Sequence, residues 1–332
     1  MRPLEGKVAV VAGATRGAGR GIACMLGEAG ATVYCTGRST RGSPNMTGYF
    51  AGRPETIDET AEMVTAYGGV GIPVRVDHLV EEQVAALIGR VRDEQGRLDV
   101  LVNDISEGEA HDWQPFWNVS LEKGFRALRQ GIQSHIITSR CAAPLMIEGR
   151  RSSPGLIVEV TDGDTLDYRG TLFYDLVKVS VNRFAYVMAE ELHRHGIAAV
   201  AVSPGYMRTE SMLEHFGVTE ANWRDGAKKD PHFIASETPF FVGRAVAALA
   251  ADPNVMEKSG GVYGSWTLSD EYGFTDVDGS RPHLGRHFEE AFGGRPPGGP
   301  HKTPFRWTLT KAPSVAAPTE RRRARRTRGV GS

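Results

Sequence analysis

The feature that most restricts what this chain can fold into is a glycine-rich turn near its start. The apolar run Val8–Ala12 is followed at once by Gly13-Ala14-Thr15-Arg16-Gly17-Ala18-Gly19, after which Ile22, Met25, Leu26 and Ala29 recur at helical spacing. A strand that passes through glycines straight into a helix has a specific use. Glycines let the backbone turn sharply and come close to a ligand, and the helix start presents unpaired N–H groups with a partial positive charge. The result is a cradle for an anion such as the pyrophosphate of a dinucleotide. The spacing is G-x-x-x-G-x-G rather than G-x-G-x-x-G, so the turn draws its meaning from its place between strand and helix.

The rest of the chain repeats the alternation. Apolar runs at 31–36, 70–76, 98–102, 156–161, 197–202 and 262–267 read as further strands. Helical patterns fall between them at 56–67, around Val84, Leu87, Ile88 and Val91, and at 124–147, 174–193 and 242–251. Seven strands separated by six helical segments predict an α/β fold: a single Rossmann-like, doubly wound parallel sheet of about seven strands. The strands are apolar almost throughout, as a sheet covered on both faces requires. With 332 residues, 40% of them hydrophobic and 24% charged, the chain can build one large core. Two stretches stand outside the alternation. Residues 39–55 are an insertion containing Gly, Pro and Ser, and from about 293 the sequence turns Pro-, Gly- and Arg-rich. The expectation is one domain over 1–294 and a disordered tail over 295–332.

Charge and cysteine usage exclude several classes. The last 14 residues hold six arginines, Arg321, Arg322, Arg323, Arg325, Arg326 and Arg328, against one acid, Glu320. The preceding 318 residues therefore carry 33 basic against 39 acidic side chains, a net charge of −6, which argues against a nucleic-acid binder. The arginines read as a solvated terminus, with a nucleic-acid contact as the lesser alternative. Cys24, Cys35 and Cys141 are too few and too scattered for a disulfide framework or a zinc cluster, and all three read as buried thiols. No run approaches the ~18 apolar residues of a membrane span, and the start does not read as a signal peptide. The expected location is cytoplasmic, with no membrane and no nucleic-acid partner, and with no metal.

The second strand narrows the choice of ligand. When the dinucleotide is NAD, that strand usually ends in an acid that binds the ribose 2′-hydroxyl. Here it ends Tyr34-Cys35-Thr36-Gly37-Arg38. Arg38 stands where a 2′-phosphate would lie, and Arg16 in the turn can add a second guanidinium, a group suited to bidentate phosphate binding. NADP(H) is thus preferred over NAD(H).

Taken together, these motifs resemble the short-chain dehydrogenase/reductase family over residues 5–267. Gly13 to Gly19 match its phosphate loop, which implies cofactor contacts from Gly13, Thr15, Arg16, Gly17, Ala18 and Gly19. Asp77, after the third strand, matches the acid that contacts the adenine amino group. Asp99-Val100-Leu101-Val102-Asn103 matches the fourth-strand motif, although Asp104-Ile105-Ser106 replaces the usual Asn-Ala-Gly. Tyr174-Asp175-Leu176-Val177-Lys178 matches Y-x-x-x-K, and Pro204-Gly205-Tyr206-Met207-Arg208-Thr209 matches P-G-x-x-x-T, which packs on the nicotinamide side. Within the family, the stretch 260–279, with Tyr272-Gly273 and Asp276-Val277-Asp278-Gly279, resembles the dehydrogenase/reductase member 1 subgroup.

The resemblance implies an NADP(H)-dependent oxidoreductase that moves a hydride between the nicotinamide and a carbonyl or alcohol carbon. Such a reaction needs a proton delivered to the developing alkoxide. A free tyrosine, with a pKa of about 10, is a poor donor and acceptor at neutral pH. A lysine four residues later shares its helix face, and its charge favours the tyrosinate. Tyr174 and Lys178 are therefore the expected catalytic pair, and both also touch the cofactor in the family.

Two positions depart from the family pattern. Where the family places a serine that donates to the substrate oxygen, this chain has Asp162, with Thr161 beside it. Three readings stand open: Asp162 is protonated by burial and donates, Thr161 takes the role, or no residue does. Where the family has a helix asparagine that holds a water-linked lysine, counting gives Gly131, with Gln130 and Gln133 as candidates to replace it. These departures keep a second function in view, a dinucleotide-binding sensor or scaffold with little turnover. Trp113, Phe116 and Trp117 either wall an apolar substrate pocket or pack beneath a loop. Tyr206, Met207, Met212, Leu213, Phe216, Trp223 and Phe233 belong to the stretch that covers the substrate in the family, which suits an apolar small molecule. The helices ending near Ile147 and His193 resemble those through which the family pairs into dimers or tetramers.

Overall fold

The fold follows from two alternations, strand against helix along the chain and one covered sheet face against the other along each central strand. A computed structural model of the chain describes residues 2–106, 108, 114–149, 153–164 and 168–292. Seven strands make one parallel sheet: β1 (Val8–Ala12), β2 (Thr32–Gly37), β3 (Val70–Arg75), β4 (Val100–Asn103), β5 (Gly155–Val160), β6 (Ile197–Ser203) and β7 (Val262–Gly264). Their order across the sheet is β3-β2-β1-β4-β5-β6-β7. The helices among the described residues are α1 (Gly17–Glu28), α2 (Ile57–Ala66), α3 (Glu81–Gln95), α4 (Leu121–Leu128), α5 (Ser134–Glu148), α6 (Leu172–Leu192), α7 (Glu210–Phe216), α8 (Pro239–Ala251), α9 (Ser265–Tyr272) and α10 (Leu284–Phe292).

Because successive side chains point to opposite faces, β1, β2, β4, β5 and β6 each feed two cores. Ala9 and Val11 of β1, with Val33, Cys35, Val102, Val158 and Val200, pack with residues of α1, α2 and α8. Val10, with Tyr34, Leu101, Ile157 and Ala199, packs with residues of α3, α5 and α6. The direction of winding reverses between β1 and β4, so the connections leaving those two strands diverge and open a crevice at their carboxyl ends. Glycines bring α1 unusually close to its neighbour α8. A Cβ on Gly21 would lie 2.0 Å from Pro239 O, and one on Gly243 would lie 2.5 Å from Gly21 O.

Several expectations are adjusted. The helix expected over 124–147 is interrupted by a π-turn at Arg129–Gln133, which separates α4 from α5 and packs against α6. The seventh strand ends at Gly264, because the Thr267 hydroxyl donates to Gly264 O and the chain is already helical from Ser265. Cys24 and Cys35 are buried, but Cys141 is only half-buried. The tail expected over 295–332 and Trp113 lie outside the described residues. Among the described residues no helix is long and apolar enough to cross a membrane.

Candidate active site

The crevice at the carboxyl ends of the strands encloses a cavity of about 640 Å³. Its floor at one end is the glycine turn. Gly13 has φ +95°, and a Cβ there would lie 2.3 Å from Asp104 O, so only glycine fits. Gly19 does not line the cavity. A Cβ on it would meet Gly13 O at 2.3 Å, so this glycine serves the tight packing of the turn on its helix. Gly13, Thr15, Arg16, Gly17 and Ala18 do line it. No side chain caps the start of α1 locally, and its first turn carries no acid. The Gly17 N–H instead donates to Glu210 Oε2 at 3.0 Å, and Arg20 Nη1 stands 3.6 Å from Glu210 Oε1. A carboxylate of the chain itself thus sits on the helix terminus. The seat accepts an anion, which is what a dinucleotide's diphosphate requires.

Arg38, half-buried at the end of β2, lines the same cavity, as does Asp77 after β3. Asp77 Oδ1 accepts the Leu79 N–H at 3.0 Å. Arg16 donates through Nε to Glu55 Oε2 at 3.1 Å, and its guanidinium lies 4.9 Å from the Phe50 ring centroid. Burial pulls the Arg16 pKa down despite the Glu55 carboxylate, and its Nη2 is buried without a hydrogen-bond partner. An unanswered guanidinium nitrogen in the cavity wall suits a further anionic ligand. The insertion at 39–55 reaches the site: Asn45, Thr47, Tyr49 and Phe50 line the cavity. It is pinned on both sides of the opening, by the Tyr49 N–H donating to Gly108 O at 3.0 Å and by Arg53 pairing with Glu214 at 2.7 Å. Arg53 also pairs with Glu55 at 2.7 Å. Burial raises the Glu55 pKa, but hydrogen bonds from Arg53 and Arg16 outweigh it and hold the carboxyl below its usual range.

At the other end stand the residues expected to do chemistry. Tyr174 and Lys178, one turn apart on α6, both line the cavity, with Lys178 Nζ 5.2 Å from the Tyr174 ring centroid. The Tyr174 hydroxyl donates to Asp162 Oδ2 at 2.7 Å. Thr161 also lines the cavity, but its hydroxyl donates to Lys178 O at 3.1 Å, so its one O–H is already engaged. Pro204, Gly205 and Thr209 form the facing wall. Gly205 is a close approach, since a Cβ there would lie 2.7 Å from Glu237 Oε2.

Asn103 is not in the cavity wall. It is fully buried beneath it, where Nδ2 donates to Glu159 Oε1 at 2.7 Å and to Ser139 Oγ at 2.9 Å. The other Glu159 oxygen lies 2.5 Å from His135 Nδ1, and His135 Nε2 lies 3.0 Å from Ile105 O. Burial lowers the His135 pKa, but the adjacent Glu159 carboxylate more than offsets this and holds it above the usual value. His78, by contrast, sits between Thr36 and Thr138 hydroxyls at 2.8 Å each, and burial drives it down to about 3. Gly131 is buried in the π-turn and Gln133 is exposed, which leaves Gln130 as the only one of these three on the cavity.

The apolar wall comes from Tyr206, Met207 and Met212, joined by Leu284 and Phe288 of α10. Leu284 and Phe288, at i and i+4, carried a legible helical signal that the sequence reading passed over. Phe216, Trp223 and Phe233 instead form a small separate core, and Phe116 and Trp117 face solvent, 59% and 71% exposed.

A sequence model described as short chain dehydrogenase matches residues 7–216. Dehydrogenase/reductase SDR family member 1 of Mus musculus is 36% identical over 286 residues, covering 84% of this chain and 86% of that protein. Among solved structures, a short chain dehydrogenase from Mycobacterium thermoresistibile superposes with a TM-score of 0.67 at 23% identity, over 85% of this chain and 92% of that one. Another, from Mycobacterium paratuberculosis and bound to NAD, has a TM-score of 0.62 at 20% identity, over 79% and 97%. With the anion cradle, the Tyr174–Lys178 pair and the sheet order all in place, the chain belongs to the short chain dehydrogenase family of oxidoreductases.

Proposed function

We propose that the chain is an NADP(H)-dependent oxidoreductase acting on an apolar small molecule with a carbonyl or alcohol group. The observation that carries this reading is the shared cavity: one end is an anion cradle, and the other presents a tyrosine hydroxyl with a lysine one turn away. When bound there, the nicotinamide supplies or removes the hydride. Gly13, Thr15, Gly17 and Ala18 would hold its diphosphate, Asp77 its adenine, and Pro204, Gly205 and Thr209 its nicotinamide side. Arg38 and the unanswered nitrogen of Arg16 favour a 2′-phosphate, hence NADP(H) over NAD(H). Tyr174 holds the proton that the substrate heteroatom exchanges, and Lys178 places positive charge against it.

Residues 1–294 form the working unit of this proposal. The cytoplasm suits its three unpaired thiols, of which Cys24 is pushed up to about 12 by burial. Leu121, Phe125, Ile136 and Leu176 are exposed apolar residues on α4, α5 and α6, which supports a homo-dimer or homo-tetramer.

The test is a fluorescence titration with NADPH and NADH, followed by a panel of carbonyls and alcohols read by nicotinamide absorbance. We expect NADPH to bind more tightly, Arg38→Ala to abolish most of that preference, and Tyr174→Phe to lose about 10²-fold or more of turnover. Binding without turnover across the panel would replace this reading with a sensor or scaffold. Full turnover by Tyr174→Phe would remove the tyrosine from the chemistry.

A further inference from the structure

The position that should meet the substrate's heteroatom holds a carboxylate. Asp162 Oδ2 accepts the Tyr174 hydroxyl at 2.7 Å, and Asp162 lines the cavity with Tyr174 and Lys178. The neighbouring hydroxyl that could donate in its stead, that of Thr161, is bound to the Lys178 carbonyl. An ionised carboxylate only accepts hydrogen bonds. A carbonyl oxygen also only accepts, so here it meets one hydroxyl donor and, beside it, a group of like polarity. The mismatch grows as hydride arrives and the oxygen gains negative charge.

A C=N nitrogen reverses both terms. Once protonated it offers an N–H for Asp162 to accept, and it carries positive charge that the carboxylate stabilises and that hydride addition discharges. Two other cations stand nearby. Lys178 Nζ lies against the Tyr174 ring at 5.2 Å. Arg169 donates through Nε to the Asp162 main-chain carbonyl, with Nη1 4.0 Å from Asp175. The Asp162 oxygen approaches the Tyr174 hydroxyl itself to 2.7 Å, as its hydrogen-bond acceptor.

We propose that this site reduces the C=N bonds of imines, and does so in preference to ketones of matching shape. This rests on the hydride-transfer and cofactor reading above and puts a C=N bond in place of its carbonyl or alcohol group. In the step, the imine nitrogen takes a proton from Tyr174 Oη and the new N–H is accepted by Asp162. A hydride, with its electron pair, adds to the carbon as the nicotinamide is oxidised, so that C=N becomes H–C–N–H. Tyr174 is then reprotonated from water. One imine, one hydride and one proton give one amine.

The experiment compares 3,4-dihydroisoquinoline with 2-tetralone as substrates of the full chain and its Asp162→Ser and Asp162→Asn variants, with NADPH as reductant. Alongside it, calorimetry measures binding of 1,2,3,4-tetrahydroisoquinoline, a secondary ammonium at neutral pH, to each protein. NADPH affinity is the check that the variants fold. We expect the wild type to favour the imine, the imine-to-ketone ratio of kcat/KM to fall about 100-fold in Asp162→Ser, and ammonium affinity to drop about tenfold or more in both variants. A ratio that Asp162→Ser leaves unchanged, or ammonium affinity equal in all three proteins, overturns the substrate class while leaving the oxidoreductase reading intact. NADPH binding with neither substrate class reduced, across the wider panel as well, overturns both.

Discussion

Glu210 should act as a competitor of the cofactor built into the chain, and replacing it should make the nucleotide bind better. Its carboxylate accepts the Gly17 N–H at 3.0 Å, on the helix terminus where a diphosphate would sit. A hydrogen bond to a charged group contributes about 1.5–3 kcal/mol. The ion pair with Arg20 at 3.6 Å adds at most about 1 kcal/mol, because the Glu210 side chain is 29% exposed and its charge is screened. A displaced Glu210 recovers much of this from water, so the net penalty on the nucleotide is about 1.4 kcal/mol, about tenfold in Kd. Glu210→Gln keeps the shape and removes the charge. We expect its Kd for NADPH to tighten about tenfold in a fluorescence titration, and its affinity for inorganic pyrophosphate to rise in parallel. The gain should shrink with added salt, and nicotinamide riboside, which has no diphosphate, should not show it. Unchanged or weaker NADPH binding by Glu210→Gln would refute the reasoning.

Two further perturbations probe the cavity wall and the packing behind it. Burial holds the Glu237 carboxyl up at about 8, with Ser265, the Gly205 N–H and Arg208 opposing and Asp276 reinforcing. Since the folded value exceeds the usual glutamate value of about 4.3, the stabilisation is complete below that value and is lost as pH rises through 8, a span of roughly 5 kcal/mol. Chemical denaturation over this range should show a slope in the wild type that Glu237→Gln lacks, and parallel profiles would contradict the assignment. Gly13→Ala combines φ +95° with a Cβ 2.3 Å from Asp104 O, and should cost about 2–4 kcal/mol. A melting temperature equal to that of the wild type would show that the turn relaxes freely.

The sheet was legible because buried parallel strands are apolar along their whole length, so Val8–Ala12 and Ile197–Ser203 stand out wherever the helices fall. Tyr174, Lys178 and the glycine turn were legible because their chemistry depends on neighbours in sequence. Glu210 and Phe50 were not, since they reach the cavity from segments 193 and 34 residues beyond Gly17 and Arg16 respectively, and no local pattern marks such a meeting. Asn103 illustrates the reverse. Its motif is correct in sequence, yet its amide is turned beneath the cavity, because Glu159 on the adjacent strand, buried and ionisable, needs donors. The π-turn at Arg129–Gln133 has no sequence signature, and it separates the family's asparagine position from any count along the helix.

The glycine contacts of α1 carry one more consequence. Eleven of its twelve residues are buried, and backbone meets backbone where it crosses α8. A helix wedged in this way has no freedom to tilt or slide, so its terminus is preorganised and loses little entropy when an anion arrives. Adaptation to different ligands therefore falls to the opposite wall. There α7 combines the Glu210 and Glu214 contacts with Phe216 buried in the small core, and α10 reaches the cavity through Leu284 and Phe288. The molecule thus sets a close-packed, anion-accepting helix terminus against a wall built from short helices.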